Sequence, residues 1–163
     1  MNARPNADPL TGLGHARAFD ERLSEVTAQH MRHAVLSIDV DHLELVNETR
    51  GRDAGDTALR AVADAMHAAL RMDDCLFRTG GDEFAVVVPV RDEGDAMRIA
   101  DRIQRATQRI GQPVSIGIAV SEPGVLDQHE LFARADAALR SVKHRGCNGT
   151  SLAHPRRHDS LVR

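Results

Sequence analysis

Apolar residues recur along this chain with two different periods, and the switches between them mark out its elements. Over residues 18–31, Phe19, Leu23, Val26 and Met31 fall at helical intervals, and the run Ala34-Val35-Leu36-Ser37-Ile38 that follows reads as a strand. After Asp39-Val40-Asp41 a short helical stretch reaches about Glu48, and the two glycines of 50–55 predict a loop. A longer helix is expected from near Asp56, with Leu59, Val62, Met66 and Leu70 on one stripe, until Asp73-Asp74 interrupt it. Residues 75–78 and 83–88 read as two strands of a hairpin turned at Thr79-Gly80-Gly81-Asp82. A helix over 93–110 carries Ala96, Ile99, Ile103 and Ala106, a strand covers 113–120, and a last helix covers 128–145, stopped by Gly146. Helices interspersed with a hairpin and single strands predict an α+β domain, its helices packed on a mainly antiparallel sheet.

Composition narrows the class. The 163 residues carry 21 Lys and Arg against 24 Asp and Glu, a formal charge of −3, with 42% hydrophobic and 28% charged residues. These values suit one globular domain and argue against disorder or a polybasic nucleic-acid binder. With no Trp, no Tyr and four Phe, the chain also lacks the stacking platforms of single-strand binders, so no nucleic acid polymer is expected as a partner. No apolar run is long enough to span a bilayer and the polar first residues do not resemble a signal peptide, so no membrane contact and a cytoplasmic location are expected. Cys75 and Cys147 are isolated thiols, which suits a reducing compartment. The pairs His30/His33 and His154/His158 lack neighbouring Cys, Asp or Glu in a metal-site pattern and are read as ordinary histidines.

The chemistry concentrates in carboxylates. Asp39 and Asp41 close a buried-looking strand, and Asp82 and Glu83 sit at the hairpin loop. One acid at a strand end is ordinary turn chemistry. Two acidic clusters that a sheet can bring together suit Mg²⁺, which takes one or two carboxylates, keeps waters and accepts phosphate oxygens. The competing reading is solvated loop charge. Gly80 and Gly81 allow positive φ and close approach of a phosphate to the backbone, though any hairpin would also welcome them.

At these residues the chain resembles a known family: Gly80-Gly81-Asp82-Glu83-Phe84 is similar to the signature of the GGDEF family, the diguanylate cyclases. Asp8-Pro9-Leu10-Thr11-Gly12-Leu13 resembles the family's DxLT opening motif, Asp39-Val40-Asp41 its metal strand, and Gly55-Asp56 with Leu59 its glycine-aspartate motif. Residues 114–119 and 135–139, with Lys143, Gly146 and Asn148, continue the likeness in the same order. The resemblance implies a nucleotidyl-cyclase-like fold with a ferredoxin-like core, a five-stranded, mainly antiparallel sheet surrounded by helices. It implies a GGDEF domain over 8–152, preceded by a short extension over 1–7 and followed by a flexible basic tail over 153–163. It further implies condensation of two GTP into cyclic di-GMP and pyrophosphate at a site shared by a homodimer, so that proximity of two bound nucleotides carries much of the catalysis. Mg²⁺ or Mn²⁺ would be held by Asp39, Asp82 and the Val40 carbonyl, with Glu83 assisting at the metal or in deprotonating a hydroxyl.

By the same resemblance Asn47 and Asp56 would read guanine, since an amide and a carboxylate satisfy its edge. Asn47 as a turn cap and Asp56 as the N-cap of the next helix is the plainer alternative. Lys143, Gly80 and Gly81 would contact the nucleotide. Arg71 and Asp74 match the family's RxxD product-inhibition site, or form an ordinary surface ion pair. Two positions depart from the pattern: Leu43-Glu44 stand where the family usually has Phe-Lys, and Cys147 where it usually has Arg. Two phosphate-facing cations are therefore missing, and Arg140, Arg50 and Arg52 are candidate substitutes. The implied activities are an active cyclase or a degenerate domain that binds GTP or cyclic di-GMP and signals to a partner. A chain of this length has no room for a sensory domain, so it is expected either to be part of a larger protein or to pair weakly through its own surface.

Overall fold

The sheet is the frame on which everything else is hung. In the computed structural model, which describes residues 6–124 and 127–154, five helices and five strands follow in order. They are α1 (Ala16–Ala28), β1 (His33–Val40), α2 (Leu43–Arg50), α3 (Arg52–Ala69), β2 (Cys75–Arg78), β3 (Glu83–Pro89), α4 (Glu93–Arg109), β4 (Val114–Val120), α5 (Gln128–His144) and β5 (Thr150–Leu152). The strand order is β2-β3-β1-β4-β5, antiparallel throughout except that β5 runs parallel to β4. This is the expected α+β architecture with five strands.

β1 lies at the centre, and its unbroken apolar run reflects burial on both faces. Ala34, Leu36, Ile38 and Val40 join one core with α3 and α4, while Val35 joins a second core with Phe19, Leu23 and Val26 of α1 and Leu131 and Ala135 of α5. On the α5 side Gly117 of β4 lets helix and sheet backbones touch. A Cβ at this position would stand 2.1 Å from the Ala135 carbonyl oxygen and 2.3 Å from the Leu139 nitrogen. The small-residue run 135–139 and the strand glycine are thus two halves of one contact.

Two expectations change. The helix expected from Asp56 begins at Arg52, because only Gly51 (φ 88°) is needed to turn the chain from α2 into α3; Gly55 lies inside the helix. That removes the helix-cap reading of Asp56. β5 had no located counterpart in the pattern, since three residues after a loop show no period; Gln104 of α4 holds its start by donating to the Gly149 carbonyl at 2.9 Å. Residues 1–5 of the extension expected over 1–7 and residues 155–163 of the tail expected over 153–163, with His158, lie outside the described residues.

Candidate functional site

At one end of β1 the antiparallel register sets Asp39 opposite Glu83, and the Val40 amide donates to the Asp82 carbonyl at 3.0 Å. The signature turn is thereby sewn to the strand that carries the other acid. Asp39 is largely buried, its side chain 23% exposed, and its Oδ1 is buried with no hydrogen-bond partner. Burial, and after it the charge of Asp82, pushes the Asp39 carboxyl up to about 6 against the pull of Lys143. A half-buried acid pair with an unsatisfied oxygen suits a divalent cation. Among the described residues no cluster of three or more His, Cys, Asp or Glu could hold a metal by itself. The pair therefore matches an ion that completes its shell with backbone, water and phosphate oxygens, as Mg²⁺ does.

The glycines serve differently from the expectation. Neither Gly80 nor Gly81 is left-handed. A Cβ on Gly80 would come within 2.6 Å of Glu83 Oε2, so the absence of a side chain there gives Glu83 room to fold back over the turn, whereas Gly81 faces open space. The turn is fixed from outside: Arg78 donates to the Gly81 carbonyl at 2.7 Å and to both oxygens of Asp8 at 3.0 and 3.1 Å. Asp8 also accepts from the Thr11 amide and hydroxyl at 2.8 and 2.6 Å. Burial alone would raise its carboxyl, but the Thr11 and Arg78 bonds outweigh that and hold it below its usual value.

Asp41, two residues beyond Asp39, is not an open ligand. Its side chain is fully buried; Oδ1 accepts from Ser115 Oγ and from Lys143 Nζ at 2.7 Å each, and Oδ2 from the Asn148 amide at 2.8 Å. Lys143 also reaches Asp39 at 3.2 Å. Beside this network an open cleft is lined by Val40, His42, Leu43, Glu44, Glu48, Asp82, Lys143 and Cys147. α2 starts at the cleft without a side-chain cap, so its first N–H groups are available to an anion. Glu44 and Cys147, the two departures, both face it. Arg140 does not: it is tied to Asp136 at 2.7 Å, and Arg50 and Arg52 are not among the lining residues either.

Asn47 of α2 lies directly on Gly55 of α3, where a Cβ would fall 1.7 Å from Asn47 Oδ1, and Asp56 is the next residue. Arg71 and Asp74 close a turn, the Arg71 amide donating to Asp74 Oδ2 at 2.8 Å, and both line a second cleft with Arg98, Arg102 and Arg105. Arg102 was not singled out from the sequence. Its Nε and Nη2 are buried without hydrogen-bond partners, while Arg98 and Arg105 are paired with Asp95 and Asp101.

Comparison with known proteins identifies this arrangement. The sequence profile described as "Diguanylate cyclase, GGDEF domain" matches residues 5–149. The chain is 35% identical to the bifunctional diguanylate cyclase/cyclic di-GMP phosphodiesterase MucR of Pseudomonas aeruginosa, over 87% of this chain and 22% of that protein. It is 32% identical to the probable diguanylate cyclase DgcT of Escherichia coli, over 86% of this chain and 34% of that one. Among solved structures, the GGDEF domain of TpbB (YfiN) from Pseudomonas aeruginosa superposes with a TM-score of 0.82 at 33% identity, covering 91% of this chain and 94% of that one. The GGDEF domain of DgcB from Caulobacter crescentus, solved in complex with c-di-GMP, gives 0.85 at 26% identity, covering 94% and 98%. The chain belongs to the GGDEF diguanylate cyclase family, and it spans between about a fifth and a third of the length of these two curated relatives.

Proposed function

We propose that this domain, read as residues 8–152, is a diguanylate cyclase: two GTP-loaded copies face each other and form cyclic di-GMP. The observation that carries the reading is the Asp39–Asp82 pair, with its unpartnered buried oxygen, set beside a cleft that opens on the uncapped start of α2. Asp39, Asp82 and the Val40 carbonyl would hold Mg²⁺ or Mn²⁺, and the ion, when bound, supplies charge neutralisation and polarisation of the phosphoryl group. The α2 N–H groups, Lys143 and the turn at Gly80-Gly81 cradle the phosphates. Asn47 and Asp56 bond the guanine edge. In each half-reaction the 3′-oxygen of one nucleotide bonds to the α-phosphorus of the other. The bond from that phosphorus to pyrophosphate breaks, and the hydroxyl proton passes towards Glu83. Product would lodge against Arg71 and Asp74, in the cleft that Arg98, Arg102 and Arg105 also line, where guanidinium forks meet phosphate or guanine.

A second reading has one specific observation in its favour. Among the described residues, Glu44 and Cys147 line the cleft with no arginine beside them to replace the missing cations, which suits a domain that binds a guanine nucleotide and signals without turnover. Incubating concentrated protein with GTP and Mg²⁺, then Mn²⁺, and following cyclic di-GMP and pyrophosphate by chromatography and mass spectrometry separates the two. The cyclase reading expects product that rises more than linearly with protein concentration and disappears in Asp82→Ala. Binding of GTP or cyclic di-GMP without product selects the second reading.

A further inference from the structure

We infer that Asp41 is the positioning residue of the nucleotide cleft, keeping Lys143 shared between itself and Asp39 rather than committed to Asp39, and fixing the loop that presents Cys147. The Lys143 half of this inference rests on the cyclase-domain reading above; the loop half does not.

A fully buried carboxylate must be compensated, and Asp41 is compensated from three sides. Ser115 belongs to β4, Lys143 to α5, and Asn148 to the loop between α5 and β5. The Asp41 amide adds a fourth tie, donating to the Pro113 carbonyl at 3.0 Å. Lys143 has three protons to give. Its bond to Asp41 is the short one at 2.7 Å, against 3.2 Å to Asp39. Without Asp41 the ammonium would move fully onto Asp39 and neutralise the acid that a cation needs. With Asp41 in place, Lys143 stays anchored when Asp39 takes another partner, and its remaining protons face the cleft.

The loop follows the same logic. Gly146, Cys147 and Asn148 are all left-handed, with φ of 109°, 68° and 47°. Two consecutive non-glycine residues in that region are costly and persist only where the surroundings hold them. The Cys147 amide bonds the Val142 carbonyl at 3.2 Å and Gln108 Nε2 donates to Asn148 Oδ1 at 3.1 Å, while the Asn148 amide supplies the ties to the buried network, to Asp41 Oδ2 at 2.8 Å and to Ser115 Oγ at 3.1 Å. They aim Cys147 at the cleft wall.

Two measurements test this. Without nucleotide, native-state hydrogen exchange in the unsubstituted chain should show strong protection of the Asn148 amide, although the residue is exposed. Asp41→Asn should lose that protection and raise the alkylation rate of Cys147 by about tenfold or more. A rapidly exchanging Asn148 in the unsubstituted chain, or an unchanged Cys147 rate in the variant, overturns the inference even if no nucleotide ever binds. The second measurement is the affinity for a GTP analogue with an uncleavable α,β-link, in Mg²⁺, across the cycle of Asp41→Asn and Lys143→Met. Asp41→Asn should weaken binding about tenfold when Lys143 is present and not at all when it is Met. Independent, multiplying losses overturn the claim that Asp41 acts through Lys143, which a merely structural residue would produce. If the unsubstituted chain binds no analogue, the cyclase-domain reading fails while the exchange arm still decides the loop. If Asp41→Asn does not fold, the exchange of Asn148 in the unsubstituted chain decides.

Discussion

At the scale of single residues, charge decides whether the cleft can hold a triphosphate. Glu44 and Glu48 lie one helical turn apart on the wall of a cleft whose only lysine, Lys143, is already shared between Asp39 and Asp41. One unit-charge pair at 4 Å is worth about 1 kcal/mol in water and about 4 kcal/mol at an effective dielectric near 20. Glu44→Lys with Cys147→Arg changes the wall by +3 charges, which at even the lower figure corresponds to about tenfold or more in affinity. We therefore expect the double substitution to tighten GTP binding at least tenfold, as read by calorimetry in Mg²⁺. Unchanged affinity would mean that these side chains do not meet the phosphates. The departures were legible in the sequence because each is a change of charge at a position with a strong motif on either side. The engagement of Arg140 by Asp136 was not, since an arginine one helical turn from an aspartate and close to Lys143 looks equally ready for either partner.

Elements were legible where burial imposes a period. β1, β3, β4, α3 and α4 each present an apolar face to a core, and their sequence shows it. β5 is three half-buried residues secured mainly by hydrogen bonds to β4 and α4, so nothing in its side chains announces a strand. Gly55 misled for a related reason: read as a loop residue, it is a helix residue kept small by a neighbouring helix. That contact gives a prediction in which stability and function part. Gly55→Ala gains about 0.5–1 kcal/mol of helix propensity, while the new Cβ evicts the Asn47 amide from its seat on α3. Thermal unfolding should stay level or rise, and affinity for the GTP analogue should fall about tenfold with discrimination against ATP reduced. A loss of stability with affinity intact would remove Asn47 from the guanine site.

On the scale of the whole molecule, the residues that open the chain are bonded to the turn that names the family. The resemblance gave Asp8 and the signature as separate motifs; the structure joins them through Arg78, an ordinary-looking cation at a strand end whose partners lie 70 residues back and three residues ahead. With side chains 14% and 15% exposed, the Arg78–Asp8 pair is screened far less than a surface bridge. Because the folded domain holds Asp8 below its usual 3.8, this carboxylate adds stability that is fully present above that value. The contribution is lost as pH falls through the lower folded value. Asp8→Asn should therefore cost about 1.5–3 kcal/mol at pH 7, the range for hydrogen bonds to charged groups. The gap between variant and unsubstituted chain should narrow as pH falls below 3.8 and close only once it passes the lower folded value, where the folded unsubstituted chain also protonates. Urea unfolding at a series of pH values measures both. The same substitution releases Arg78 from the Gly81 carbonyl's outer support, so turnover at pH 7 should fall by more than the small unfolded fraction explains. A variant that loses stability but keeps full turnover would show that the opening segment braces the fold without setting the turn.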